Sequence, residues 1–142
     1  MGGRNMSRNL TLLLARILLA ALFVPAGFQT LGNISGSTGY FAGLGLPAPE
    51  IMAWGVGLFE LISGLLVLIG FQTRIASLAL ALFCLSAAFL GHYGQGAGDP
   101  VLAFMHQQML MKDIAIAGGF LALAMAGSGA FSVDSWHGLR AT

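Results

Sequence analysis

The chain has 142 residues, 57% of them hydrophobic and 8% charged, with a mean hydropathy of +0.86. Soluble domains carry about 25% charged residues, so the composition excludes an ordinary soluble fold and indicates an integral membrane protein. A net charge of +1 without any like-charge run excludes a nucleic-acid partner, and the single cysteine, Cys84, excludes an internal disulfide or dithiol pair.

Four apolar blocks are each long enough to cross a hydrocarbon layer of about 30 Å at about 1.5 Å per residue. They predict one domain over residues 1–142, with spans at about 10–31, 51–71, 75–93 and 105–126. Arg4 and Arg8 precede the first block, which resembles a signal sequence at its start. Its apolar run continues to about Leu31, however, and is interrupted by Arg16, so a first span is expected instead. Arg16, Ala20, Phe23 and Gly27 fall on one helical face, and Pro25 should kink the helix near its far end. Arg16 lies about 9 Å in from Leu10, which suggests that it reaches toward Glu60.

The connection that follows is rich in Gly, Ser and Asn. Its Tyr40, Phe41, Leu44 and Leu46 predict a short interfacial segment capping the bundle. Pro47, Pro49 and Glu50 fit a helix start. Glu60 then sits near the middle of the second block, where a carboxylate costs about 2.5 to 3.5 kcal/mol and must turn toward protein. Ala53, Gly57 and Gly64 share its face, and small residues let membrane helices approach closely.

The turn Gln72-Thr73-Arg74 is tight enough to make the second and third spans antiparallel neighbours. Ala81, Cys84, Ala88 and His92 lie broadly on one face of the third span. Asp99-Pro100 reads as an N-cap with proline at the first helical position, and the fourth block carries His106, Lys112 and Asp113 in its first half. The tail, with Asp134, Trp136, His137 and Arg140, is expected at the interface or in the cytoplasm. Arg4, Arg8, Arg74 and Arg140 fall on one side, and the first and third connections hold no Lys or Arg. The expected fold is therefore an all-α, antiparallel four-transmembrane-helix bundle with both termini cytoplasmic.

The polar core expected at membrane depth comprises Arg16, Glu60, His92, Lys112 and Asp113, with Gln29 and His106 at the rim and Arg74 in the turn. Three readings stay open. The ionisable residues could pair for structure, as Arg16–Glu60 and Lys112–Asp113 or Lys112–Glu60. They could line an outward-facing pocket for quinone or lipid, or they could form a proton or ion path. His92, His106 and Asp113 could converge, but no two ligands sit at close spacing, so no metal is expected. No catalytic residue is identified. Cys84 reads as a small buried hydrophobe, and the glycines of the fourth span read as packing surface.

RILLAALFVPAGF, GYFAGLGLPAP, FELISGLLVLIGFQTR, FLGH, MKDIAIAGGFLALAMAG and FSVD, in that order, resemble the DoxX family of small four-helix inner-membrane proteins. The likeness covers nearly the whole chain and is greatest to a bacterial group named for inner-membrane oxidoreductases. It implies that Arg16, Glu60, Arg74, His92 and Lys112 occupy the family's polar positions, whereas Gln29 stands where many members carry lysine. The resemblance also implies association with redox systems, among them thiosulfate oxidation coupled to quinone and complexes with superoxide dismutase and thiol enzymes. The expected function is thus a small inner-membrane subunit of a respiratory or detoxifying redox system, anchoring partner proteins and contacting quinone or lipid. No covalent cofactor and no catalysis by this chain alone are expected. The alternatives are a carrier or channel for protons or a small solute, and a non-catalytic, self-associating accessory subunit.

Overall fold

The computed structural model describes residues 2–138; the expectation for Arg140 falls outside them. Six α-helices follow in order: α1 (Gly2–Gly32), α2 (Ile34–Gly43), α3 (Pro49–Ile69), α4 (Thr73–Ala87), α5 (Pro100–Ala126) and α6 (Val133–Trp136), with a π turn (Ala88–His92) extending α4. No strand occurs among the described residues. Four helical segments, Gly2–Gly32, Pro49–Ile69, Thr73–His92 and Pro100–Ala126, are long and apolar enough to cross a membrane. The protein is an all-α membrane bundle.

The spans agree with those expected, apart from their ends. α1 starts eight residues earlier than its apolar block, because a helix needs backbone hydrogen bonds rather than apolar side chains to continue past a membrane surface. Ser7 Oγ and Thr11 Oγ1 also donate back to the carbonyls of Gly3 and Ser7. Helix α1 runs on through Pro25. α3 ends in a Schellman motif: Gly70 takes φ 74°, its N–H donates to Val67 O, and Phe71 N–H donates to Leu66 O at 2.9 Å. α5 starts at Pro100, where Asp99 Oδ1 accepts from Val101 N–H and Leu102 N–H.

Packing is uneven. α1 lies most extensively against α3 and α4 against α5, and the two pairs meet along a thinner seam. Glycines set the first pair. A Cβ added to Gly27 would lie 2.6 Å from Leu61 N, one on Gly57 would lie 2.8 Å from Leu31 Cδ2, and one on Gly64 would lie 3.0 Å from Val24 Cγ2. These three approaches define a single antiparallel register, which carried further brings Arg16 opposite the end of α3 near Gly70.

Half of the seam is filled. Phe23, Val67, Leu80, Cys84, Ala117 and Phe120 belong to one buried cluster, with Phe23 edge-on to Phe120 at 5.4 Å. The half beneath α2 is not filled, and α2 itself has no buried residue.

Candidate functional site: a cavity beneath the second helix

A cavity of about 740 Å³ occupies that unfilled half. Phe23 and Phe83 form part of its floor, packed edge-on at 6.2 Å, while α2 and the chain leading to Leu46 line its upper side. Polar groups enter this apolar frame from every side: Gln29 and Thr30 from α1, Tyr40 from α2, Glu60 from α3, His92 from the π turn and Asp113 from α5. Cys84, 2% exposed, also lines the cavity.

Glu60 faces the cavity because it shares a face with Gly57 and Gly64, which pack against α1. Thr30 Oγ1 donates to Glu60 Oε2 at 3.5 Å. His92 is aimed by the π turn. In an uninterrupted α-helix it would lie about 80° around from Cys84, at about 100° per residue. The Tyr93 N–H donates to Ala88 O, five residues back, and that wide turn takes up one extra residue. His92 thereby returns to within about 20° of the Cys84 face, toward α5. There its Nδ1 lies 3.0 Å from His106 Nδ1 and its Nε2 lies 3.6 Å from Asp113 Oδ2. His106 and Asp113 stand two turns apart on one face of α5, so the imidazole is held between them. Burial, and secondarily the Asp113 carboxylate, push the Tyr40 phenol above its ordinary range, keeping it a neutral donor.

Two expected members of the polar core lie elsewhere, and both expectations are corrected. Arg16 does not approach Glu60. Thr30, which Glu60 meets, is fourteen residues along α1 from Arg16, about 21 Å, beyond any side chain's reach. Arg16 is instead buried at the opposite end of the bundle, 2% exposed, and donates to four carbonyls: Val67 (3.1 Å), Leu68 (3.0 Å), Ser128 (2.7 Å) and Phe131 (2.8 Å). The first two belong to the last turn of α3, at its negative end, which favours a cation there. Lys112 does not pair with Asp113 or Glu60 and is exposed. Successive helical residues point about 100° apart, so with Asp113 turned inward Lys112 must turn out. The carboxylate–imidazole contact found among the described residues is His92–Asp113.

Arg74 lies at the Arg16 end, beside a second, polar hollow of about 630 Å³ that Arg8 and Asp134 also line. Asp134 had no role assigned from sequence. Its carboxylate accepts from Gln72 N–H (2.8 Å) and Thr73 N–H (3.1 Å), capping α4, and its own N–H donates to Gly70 O. The only sequence signal was the FSVD segment, whose Ser132 caps α6. His92, His106 and Asp113 do converge, but His92 offers a different nitrogen to each neighbour. The arrangement is therefore a chain, and the described residues contain no three-donor cluster suited to a metal ion.

The DoxX family profile matches residues 11–93, which take in α1 from Thr11 onward and the whole of α2, α3, α4 and the π turn. The chain belongs to the DoxX family. It is 39% identical to the inner membrane protein YqjF of Escherichia coli (strain K12) over 122 residues, covering 86% of this chain and 88% of that one. It is 35% identical to the inner membrane protein YphA of the same organism, covering 90% and 91%. A Bacillus subtilis (strain 168) protein named "Putative oxidoreductase CatD" is 32% identical over 83 residues, 58% of this chain and 60% of that one. No solved structure matches the chain. The family match covers Glu60 and His92, while His106 and Asp113 lie beyond it.

Proposed function

We propose that this chain is a small integral subunit of a respiratory or detoxifying redox system in a bacterial inner membrane, and that the cavity beneath α2 receives the headgroup of a quinone or of a lipid without net negative charge. The observation that carries the reading is the cavity's lining. Aromatic and aliphatic walls suit a hydrophobic ring or chain, and a few convergent polar groups suit an oriented headgroup. Gln29, Thr30, Tyr40 and His92 are available as donors to carbonyl oxygens. Glu60 and Asp113 line the cavity without an Arg or Lys beside them, which disfavours an anionic headgroup.

The names of the two Escherichia coli relatives support the inner membrane, and the name of the Bacillus relative supports a redox setting. Arg8 and Arg74 share the end of the bundle at which α1 begins and α5 ends, and the positive-inside rule assigns that end to the cytoplasm. The cavity then opens in the outer half. Redox proteins of the same membrane are the partners this reading requires.

A photoreactive short-chain benzoquinone tests the proposal on protein in lipid nanodiscs. The reading expects labelling on peptides around Met52, Phe83 and Leu90, competed by unlabelled quinone. Labelling spread over the lipid-facing surface, with no competition, would remove it.

A further inference from the structure

We infer that His106, His92 and Asp113 form a proton relay joining the surface at the α2 end to the cavity, so that the cavity serves a headgroup with an exchangeable proton, a hydroquinone or another phenol. The choice of ligand class rests on the pocket reading above; the relay itself rests on geometry.

Two ring nitrogens 3.0 Å apart share one proton, so one imidazole donates and the other accepts. This fixes the tautomers in pairs. With Asp113 ionised, His106 carries its proton on Nδ1 and donates to His92 Nδ1, and His92 carries its proton on Nε2, facing Asp113. With Asp113 protonated, the order reverses: His92 holds its proton on Nδ1 and His106 holds its proton on Nε2.

The second arrangement becomes the first by three shifts. The Asp113 O–H bond breaks as His92 gains a proton on Nε2; His92 gives its Nδ1 proton to His106 Nδ1; His106 releases its Nε2 proton to water. One proton leaves, Asp113 is left as a carboxylate, and both imidazoles end neutral. No electron moves. The 3.6 Å between His92 Nε2 and Asp113 Oδ2 is longer than a hydrogen bond, so the contact completes when the side chains close by about half an ångström or through one water.

The surroundings fit a conduit better than a structural latch. His106 is half-buried near the start of α5, and the His92 and Asp113 side chains are likewise only partly covered, at 16% and 23% exposure. Asp113 both lines the cavity and ends the chain of nitrogens. The ionisable groups facing it across the cavity are Tyr40 from α2, Glu60 from α3 and Cys84 from α4, and α1 contributes the neutral Gln29 and Thr30. The π turn supplies a purpose-shaped element: without its extra residue His92 would point past α5.

The test is a light-triggered pH jump on the full chain in nanodiscs, following the carboxylic C=O infrared band that Asp113→Asn removes. Asp113 should gain its proton at least tenfold more slowly in His92→Phe, with Lys112→Gln as the unaffected control. Free imidazole should restore the rate in His92→Gly, which repair of a structural defect would not do. A wild-type rate in His92→Phe, or no imidazole rescue in folded His92→Gly, overturns the relay. Quinone labelling of the same variants separates the two readings. Competed labelling with unchanged proton kinetics sinks the relay alone, whereas slowed kinetics without competed labelling keeps the relay and removes the proposed occupant.

Discussion

Replacing Arg16 with methionine keeps an unbranched apolar stem, two atoms shorter than arginine, and removes every donor. Val67 O also accepts from Gly70 N–H at 3.2 Å, but the carbonyls of Leu68, Ser128 and Phe131 depend on Arg16 among the described residues. A buried carbonyl left unmet costs about 1 to 3 kcal/mol, so the three together lose about 3 to 9 kcal/mol. Leaving the guanidinium out of the interior returns several kcal/mol of desolvation, which brings the net loss to about 3 to 5 kcal/mol. At about 2 to 4 °C per kcal/mol for a chain near this size, the unfolding midpoint should fall by about 6 to 20 °C. Cys84 provides the assay: it is the single thiol in the chain and 2% exposed, so a thiol-reactive fluorophore in mild detergent reports unfolding. Arg16→Lys, a point charge that cannot span four carbonyls, should lose about half as much. Glu60→Gln should leave the midpoint nearly unchanged, and its effect should add to that of Arg16→Met, as expected for sites about 20 Å apart. A midpoint within about 2 °C of wild type in Arg16→Met, or strong coupling between Arg16 and Glu60, would refute the reasoning.

Gly27→Ala should lower the same midpoint by an amount matching about 1 to 3 kcal/mol, because its Cβ would meet the α3 backbone at Leu61 and push two helices apart. Gly55→Ala, where an added Cβ meets nothing within 4 Å, should raise the midpoint slightly, by about 0.5 to 1 kcal/mol of helix propensity. Lys112→Gln should change the midpoint by less than the equivalent of about 0.5 kcal/mol and leave quinone labelling intact, while Asp113→Leu should abolish competed labelling; equal effects of the two would contradict the divergent directions of their side chains.

The spans were legible because apolar runs of about 20 residues have one solution in a bilayer. What composition cannot carry is register. Arg16 and Glu60 were each placed at moderate depth by counting from their own span's edge, but the spans are antiparallel and those edges lie on opposite sides. The Gly27–Leu61, Gly57–Leu31 and Gly64–Val24 approaches decide which residues face each other. Lys112 was misplaced for a local reason: it was grouped with Asp113 by sequence, although adjacent helical positions diverge. His92 was assigned correctly to the face of Cys84 and Ala88, but the π turn that places it there leaves no mark in hydrophobic periodicity. Asp134 stayed without a role because its partners lie more than sixty residues upstream, at the Gln72 and Thr73 amides.

The two ends of the bundle are built for different work, which leads to a prediction that runs against element length. α6 is only four residues long and lies near the end of the chain, where fraying is the ordinary expectation. It is nonetheless tied down: Asp134 joins Gly70, Gln72 and Thr73, while Arg16 holds the Ser128 and Phe131 carbonyls just before it. α2 is ten residues long, but it buries no side chain and covers a cavity. Local opening follows buried contacts and bonding rather than helix length. Hydrogen exchange in nanodiscs should therefore be at least tenfold slower at the Gln72, Thr73 and Asp134 amides than in the middle of α2. Asp134→Ala, which removes a cap of about 1 to 2 kcal/mol, should erase that difference without quickening α2. Exchange as slow in α2 as at Thr73 would mean that the cover is fixed. Ligand entry would then need another route, because a headgroup can reach Glu60 and Asp113 from this end only if α2 lifts more readily than the clamped end opens.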